Sequence, residues 1–350
     1  PNSLGIDAFD LQQRALREYN NSTDDDDDTE SNCGCGHNGA AEVILQISLE
    51  YFLPSINQVY NGSFTIDTVP RAEWETIKAK GFDWILFEDL PSDTDFKKLC
   101  NTLHSCRLRA MIDYSNDETA QYFDGLRIHD NDAAKYHQKF SGKTIISVCG
   151  YKENPQAENE LQSATYIYDN RPIQCLKNRD MTGFIKAIRD ETNEDDRKHL
   201  LHYMCSNGLF FNDRSTRTAA AMLLTLPGMR LIDYREIELV DLALIVLCKK
   251  AVRKGTFQFV NYTTKGNTFV WKYKRDQQHI LVVANFDTKQ TTTHIVIDDC
   301  PTTENNKTQN KKVPFVDILT QTTYLRDPKE MSTKGLAVIL YEYEIQIFEY

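Results

Sequence analysis

From residue 42 to about residue 253, short apolar runs alternate with amphipathic stretches. The runs Val43–Leu49, Phe82–Phe87, Leu108–Ile112, Leu126–Ile128, Thr144–Val148, Thr165–Tyr168, Leu200–Met204 and Arg230–Ile232 predict eight strands. They are continuously apolar rather than alternating, which marks strands covered on both faces of a parallel sheet. Between them Ala72–Lys80, Asp95–Leu103, Met181–Arg189, Ser215–Leu226 and Val240–Arg253 read as helices, the first of them stopped by Gly81. Eight strands alternating with helices predict an α/β fold, a compact (β/α)8 barrel of TIM type, in a class that typically has about 250 residues.

After Gly255 the period changes. Phe257–Tyr262, Thr268–Tyr273, His279–Asn285, Thr292–Ile297 and Leu336–Tyr341 read as successive strands with turn residues such as Lys265-Gly266-Asn267 between them. That pattern predicts an all-β C-terminal sandwich. Cys300 to Lys312 is polar and reads as an exposed loop. The expected organisation is a flexible acidic arm over 1–38, the barrel over 39–253 and the sandwich over 254–350.

Composition narrows the function classes. A chain of 350 residues, 41% hydrophobic and 11% aromatic, is globular and long enough for two domains. The net charge of −11 with no basic patch argues against a nucleic-acid partner. Part of the acidity is local: Asp24 to Asp28 reads as a solvated tail, lacking the glycine turns and carbonyls of an ordered calcium site. The best apolar run, Leu239 to Cys248, contains Asp241 and is half the length of a membrane span.

Sequons at Asn20, Asn21, Asn61, Asn261 and Asn306, with nine cysteines, favour a secreted or extracellular chain carrying N-glycans. Cys33 and Cys35 follow the acidic arm. As a metal pair they lack a second pair at zinc spacing, so a disulfide anchor, intermolecular or internal, is the favoured reading. The chain begins at Pro1 with neither a signal peptide nor an initiator Met, so a processed or trimmed N-terminus is expected, including an ectodomain whose anchor has been removed. No metal or cofactor is expected, since no His-x-x-x-His or Cys-x-x-Cys spacing occurs.

The candidate chemistry centres on Gly125-Leu126-Arg127-Ile128-His129, a short buried strand entered through glycine and leaving into a polar run. It resembles the Gly-Phe-Arg-x-Asp motif of the fourth barrel strand in the α-amylase/α-glucosidase superfamily, glycoside hydrolase family 13. Three further stretches carry the same resemblance in the same order. Arg109-Ala110-Met111-Ile112-Asp113 is similar to the third-strand motif, and Lys80-Gly81-Phe82-Asp83-Trp84-Ile85 to the entry of the second strand. Leu226-Pro227-Gly228 through Tyr234 and Glu236-Ile237 resembles the last barrel strand. The sandwich strand Ile280 to Phe286 also fits. The resemblance spans about residues 42–345 and implies an amylase-like barrel without the family's insert domain, because only a dozen residues separate Asp113 from Gly125.

The resemblance also implies where three carboxylates should stand. Glycosidases of this kind use a nucleophile and an acid about 5–5.5 Å apart. The nucleophile position carries His129, the general-acid position Cys149, and the third carboxylate position Leu209. Asp113 and Arg127 match retained scaffold positions. Asp130 is one residue out of phase with His129, and Glu153 belongs to the following loop. A Cys149–His129 nucleophile pair is conceivable, but Cys149 reads better as core or disulfide partner. Trp74, Trp84 and Trp271 read as packing residues. With all three acids replaced, the expectation is that the chain is not an enzyme.

Three functions remain open at this point. The first is an extracellular protein-binding ancillary subunit, similar to the heavy-subunit ectodomains of heteromeric amino-acid transporters, with Cys33 or Cys35 bridging to a partner. The second is a secreted structural or storage-like pseudo-enzyme that self-assembles. The third is an active α-glucosidase using Asp130 or Glu153.

Overall fold

The structure, a computed structural model, describes residues 42–129, 132–148, 164–189, 200–204, 213–264, 266–300 and 312–350. Eight parallel strands close into a barrel in chain order. They are β1 (Val43–Ile47), β2 (Trp84–Phe87), β3 (Arg109–Asp113), β4 (Gly125–Ile128), β5 (Thr144–Ser147), β6 (Tyr166–Tyr168), β7 (Leu200–Met204) and β8 (Met229–Asp233). β8 returns to pair with β1, Val43 opposite Arg230 and Gln46 opposite Asp233. The barrel expected from the continuous apolar runs is the observed one.

Alternate strand residues face inward and make the barrel interior a packed core. Trp84, Leu86, Met111, Ile146, Tyr166 and Leu231 are among the buried residues of this cluster. Gly125 is the inward residue that opens β4. A Cβ there would stand 2.7 Å from Met111 Cε, 3.0 Å from the Thr144 carbonyl oxygen and 3.2 Å from Trp84 Cζ3. The indole of Trp84 takes the volume that a side chain at 125 would need. Its Nε1 donates to Glu42 Oε2 at 2.7 Å, and the Arg109 guanidinium lies 4.1 Å above its ring while pairing with Glu42. This arrangement sits at the amino-terminal end of the strands, so its role is structural.

Helices follow most strands. Asp95 caps Phe96–Ser105 by accepting from Lys98 N at 2.9 Å, and Asp132 caps Ala133–Lys139 through Lys135 N at 3.2 Å. Five of the described helices escape the sequence pattern: Leu49–Val59, Asp117–Ala120, Ala133–Lys139, Arg171–Lys177 and Pro328–Thr333. Leu49–Val59 carries Pro54 inside it, a residue that argues against a helix interior, and buries only Phe52 and Ile56. Arg171–Lys177 is a seven-residue piece with Pro172 in its first turn.

Packing divides the chain into two compact units. One holds the eight barrel strands. The other holds the helix Asp213–Leu224 and the described residues from Val240 onward. The single helix expected over Val240–Arg253 is two, Ile237–Leu247 and Lys250–Lys254, because Lys249 adopts an extended conformation.

The antiparallel part has two sheets. A six-stranded sheet runs β15 (Thr323–Arg326), β14 (Val313–Asp317), β17 (Glu344–Glu349), β12 (Gln278–Asn285), β11 (Thr268–Arg275) and β9 (Thr256–Phe259). A three-stranded sheet runs β10 (Tyr262–Thr263), β13 (Thr291–Ile295) and β16 (Leu336–Leu340). Leu281, Val283, Ile295, Phe315, Val338 and Phe348 belong to the core between them. The pattern did not predict β14, β15 and β17. Pro314 speaks against a strand in the middle of a sheet. It is tolerated because β14 meets β17 only at Val316 and Asp317. Trp271 Nε1 and Tyr273 Oη both donate to the Thr225 carbonyl, at 3.1 and 2.9 Å, tying β11 to the end of the helix Asp213–Leu224.

Trp74, Trp84 and Trp271 are all fully buried packing residues, as expected.

Candidate functional site

The carboxyl ends of the barrel strands carry a connected set of polar side chains, where barrel and open α/β folds place their chemistry. Arg127, on β4, is its hub. Its side chain is 7% exposed. Nε and Nη2 both donate to Asp113 at the end of β3, the latter to Oδ2 at 2.6 Å. Nη1 donates to Gln46 Oε1 on β1 at 2.7 Å and to Tyr168 Oη on β6 at 3.1 Å. Four strands are thereby tied by one side chain.

Burial by itself would lower the Arg127 guanidinium, yet its bonds to Asp113 and Tyr168 reverse the sign and hold it raised. Gln46 passes the network on, donating from Nε2 to Glu88 Oε1 at 2.7 Å, just past the end of β2. Glu88 is 3.9 Å from Arg127 and 40% exposed. Burial raises its carboxyl above the ordinary range, Arg127 pulls it back, and Asp113 and Asp233 push it up further.

His129 stands one residue beyond β4 and is 59% exposed, with Nε2 3.3 Å from Asp113 Oδ2. The structure therefore brings Asp113, Arg127 and His129 together. Cys149 and Leu209 lie outside the described residues, as do Asp130, Glu153, Cys33, Cys35, Asn20, Asn21 and Asn306. Asn61 and Asn261 are both exposed, the first in a turn at φ 48°. The described cysteines, Cys100, Cys106, Cys175, Cys248 and Cys300, are free thiols.

Two features of the mouth escaped the sequence reading although a spacing signals them. Asp169-Asn170-Arg171 follows β6 and Asp233-Tyr234-Arg235 ends β8. In each, the arginine folds back on the aspartate two residues earlier. Arg171 Nε and Nη2 donate to the two oxygens of Asp169 at 2.8 and 3.0 Å. Arg235 does the same to Asp233 at 2.8 and 2.7 Å. The backbone N–H of each arginine also donates to Oδ1, at 3.2 and 2.9 Å respectively. Both carboxylates are more than nine-tenths buried, so the fork of each arginine compensates a charge that water does not reach. Glu88 and Gln46 have no comparable signal, since neither lies in a distinctive local pattern.

No family profile matches the sequence, and no curated protein matches it. Solved structures do match the architecture. A maltogenic α-amylase from Thermotoga neapolitana superposes with a TM-score of 0.62 at 10% identity, over 88% of this chain and 98% of that one. An α-amylase from Geobacillus thermoleovorans, solved with acarbose, gives 0.60 at 11% identity over 89% and 98%. A debranching enzyme from Nostoc punctiforme gives 0.59 at 10% identity over 89% and 98%. The fold is that of the α-amylases.

The same finding corrects one expectation. His129, Cys149 and Leu209 at the three carboxylate positions led to the expectation that the chain is not an enzyme. The solved structures that share its fold over nearly their whole length are α-amylases and a debranching enzyme, so that expectation is withdrawn. In the sequence those three positions follow β4, β5 and β7. The mouth collects Glu88, Asp113, Asp169 and Asp233 from four others.

Proposed function

We propose that this chain is an extracellular, glycosylated ancillary protein that works by holding a protein partner, in the manner of the heavy subunits of heteromeric amino-acid transporters. The observation that carries the reading is the internal pairing of the barrel mouth. Arg127 takes both oxygens of Asp113, Arg171 both of Asp169 and Arg235 both of Asp233. A surface so compensated is pre-organised, and a partner that docks on it spends little on ordering side chains. The exposed sequons Asn61 and Asn261 support an extracellular setting. Cys33 and Cys35 supply candidate bridges to the partner.

The test compares natively sourced protein on non-reducing and reducing gels, with mass spectrometry of any band that shifts. A heavier non-reduced species containing a polytopic membrane protein supports the reading. A species containing this chain alone, or a monomer at its glycosylated mass, overturns the disulfide-linked subunit.

A second reading is favoured by Glu88. A carboxyl raised by burial and by neighbouring carboxylates holds its proton more readily than an ordinary one, the direction a general acid needs. In an α-glucosidase-type reaction Glu88 would protonate the departing glycosidic oxygen as its bond to the anomeric carbon breaks, water would add at that carbon, and the proton this water releases would return to the Glu88 carboxylate. Turnover of a maltooligosaccharide that Glu88→Gln removes, with folding unchanged, supports it. Equal turnover in the wild type and Glu88→Gln overturns it.

A further inference from the structure

Leu86 on β2 and Met111 on β3 face the packed barrel interior. Alternation carries the same inward phase to Glu88 and Asp113, and on β4 from Gly125 through Arg127 to His129. Glu88 and His129, each one residue past its strand, therefore turn toward the same mouth. Only β3 stands between β2 and β4. Two strand spacings amount to about 9.5 Å along the sheet, shortened by the curve of the barrel. Three contacts bridge the gap. Glu88 Oε1 lies 3.9 Å from Arg127 Nη2, Nη2 lies 2.6 Å from Asp113 Oδ2, and Oδ2 lies 3.3 Å from His129 Nε2.

Hydrogen-bond complementarity fixes a proton at each end of this chain of contacts. Arginine only donates, so Gln46 Oε1 faces Arg127 Nη1 and its Nε2 is left to donate to Glu88 Oε1. With Oε1 accepting, the acid proton of Glu88 belongs on Oε2. Asp113 accepts from Arg127 on both oxygens and is ionised, so toward His129 it can only accept again. The imidazole proton therefore belongs on Nε2, and Nδ1 carries the lone pair. His129 is 59% exposed, which leaves that lone pair within reach of water.

We infer that His129, oriented by Asp113, is the general base of the mouth, and that hydrolysis there inverts the anomeric carbon. This assignment takes Glu88 as the acid of the α-glucosidase-type reaction and rests on that reading. Glu88 Oε2 gives its proton to the departing glycosidic oxygen as the bond from that oxygen to the anomeric carbon breaks. A water on the opposite face of the sugar forms the new bond, and its proton passes to His129 Nδ1. The imidazolium then yields that proton, through solvent, to the Glu88 carboxylate. Inverting glycosidases hold acid and base about 6.5–9.5 Å apart to admit this water, whereas a retaining pair stands about 5–5.5 Å apart. The span from β2 to β4 fits the wider class. The 3.3 Å between His129 and Asp113 is long for a hydrogen bond. Such catalytic bonds are often long in a free enzyme and tighten with substrate bound.

The test follows the full chain acting on maltotriose, by proton NMR from the first turnovers. The β-anomer is expected to appear first at the freed anomeric carbon. His129→Ala, at an exposed position, should slow turnover about 100-fold or more, and free imidazole should restore part of it. The α-anomer appearing first overturns the inference, and so does His129→Ala turning over as fast as the wild type. Nitrogen NMR of histidine-labelled protein reads the ring without any turnover. The wild-type ring is expected to carry its proton on Nε2, and Asp113→Asn to mix the two tautomers. A wild-type ring protonated on Nδ1 overturns the inference even where Asp113→Asn fails to fold. A wild type that leaves maltotriose intact overturns the Glu88 reading and this inference with it, whereas retention or an Nδ1 proton overturns the inference alone.

Discussion

Arg127 and Asp113 meet through two parallel hydrogen bonds across adjacent barrel strands, Nη2 lying 2.6 Å from Oδ2. The pair joins the third and fourth strands at the register Asp113 opposite Arg127, so side chains and backbone ladder specify the same alignment. Through Nη1 the same guanidinium reaches Gln46 and Tyr168, strands away on either side. Removing the cation leaves a carboxylate at 20% exposure without its counter-charge. Arg127→Met is therefore expected to lose about 3–5 kcal/mol of stability, measured by urea unfolding of the barrel. The double variant Arg127→Met with Asp113→Leu should recover part of that loss, because the uncompensated charge goes too.

Gly125 gives a second expectation. Met111 Cε is a flexible end and can yield, but the Thr144 carbonyl oxygen at 3.0 Å is backbone of the neighbouring strand and cannot move without disturbing the ladder. Gly125→Ala should cost about 1–3 kcal/mol, read as a lowered thermal midpoint. Shortening Met111 to Ala in the same chain should return little of it.

His202 sets an acid limit on the barrel. It is 5% exposed, and its Nε2 lies 2.9 Å from the Pro227 carbonyl oxygen, which requires a proton on that nitrogen. Burial lowers its pKa below the ordinary 6.5, against smaller opposing effects from Asp169 and that carbonyl. A histidine depressed in the folded state binds its proton more readily when unfolded, so stability is complete above pH 6.5 and falls as pH drops toward the depressed value. Across that window the slope from one such group approaches about 1.36 kcal/mol per pH unit. Thermal midpoints from about pH 7.5 to about pH 5 should decline in the wild type, and His202→Gln should flatten the decline while lowering the plateau.

Glycosylation is testable position by position. Asn61 and Asn261 are exposed, and their sequons, Asn61-Gly62-Ser63 and Asn261-Tyr262-Thr263, are intact. In material from secreting cells, Asn61→Gln and Asn261→Gln should each remove the mass of one glycan. A mass unchanged in both variants would argue against the extracellular setting.

Much of the architecture is written in local sequence. A run such as Phe82 to Phe87 is apolar at successive positions only if both faces are covered, and eight such runs between helices leave few alternatives to a closed parallel barrel. Gly125, Arg127 and Asp113 could be assigned to their ends of the barrel from their strands alone, since period and strand direction decide which end a residue occupies. Two of the elements that local pattern does not announce have composition arguing against them: Pro54 in a helix, Pro314 in a strand. The second is tolerated for a reason of neighbourhood, since β14 meets β17 at only two residues.

The chemistry of the mouth lay beyond local pattern. Glu88 acquires its raised carboxyl from burial and from Asp113 and Asp233, residues that follow it by 25 and 145 positions in the numbering. Gln46 is an ordinary strand glutamine until it is seen bridging Arg127 and Glu88. Sequence by itself determined the barrel strands, their order and the end at which functional groups gather, because periodicity and chain direction are local properties. Tertiary structure alone decided which charges compensate one another and which carboxyl is raised, because electrostatic interaction depends on distance and burial, and neither is carried by neighbours along the chain.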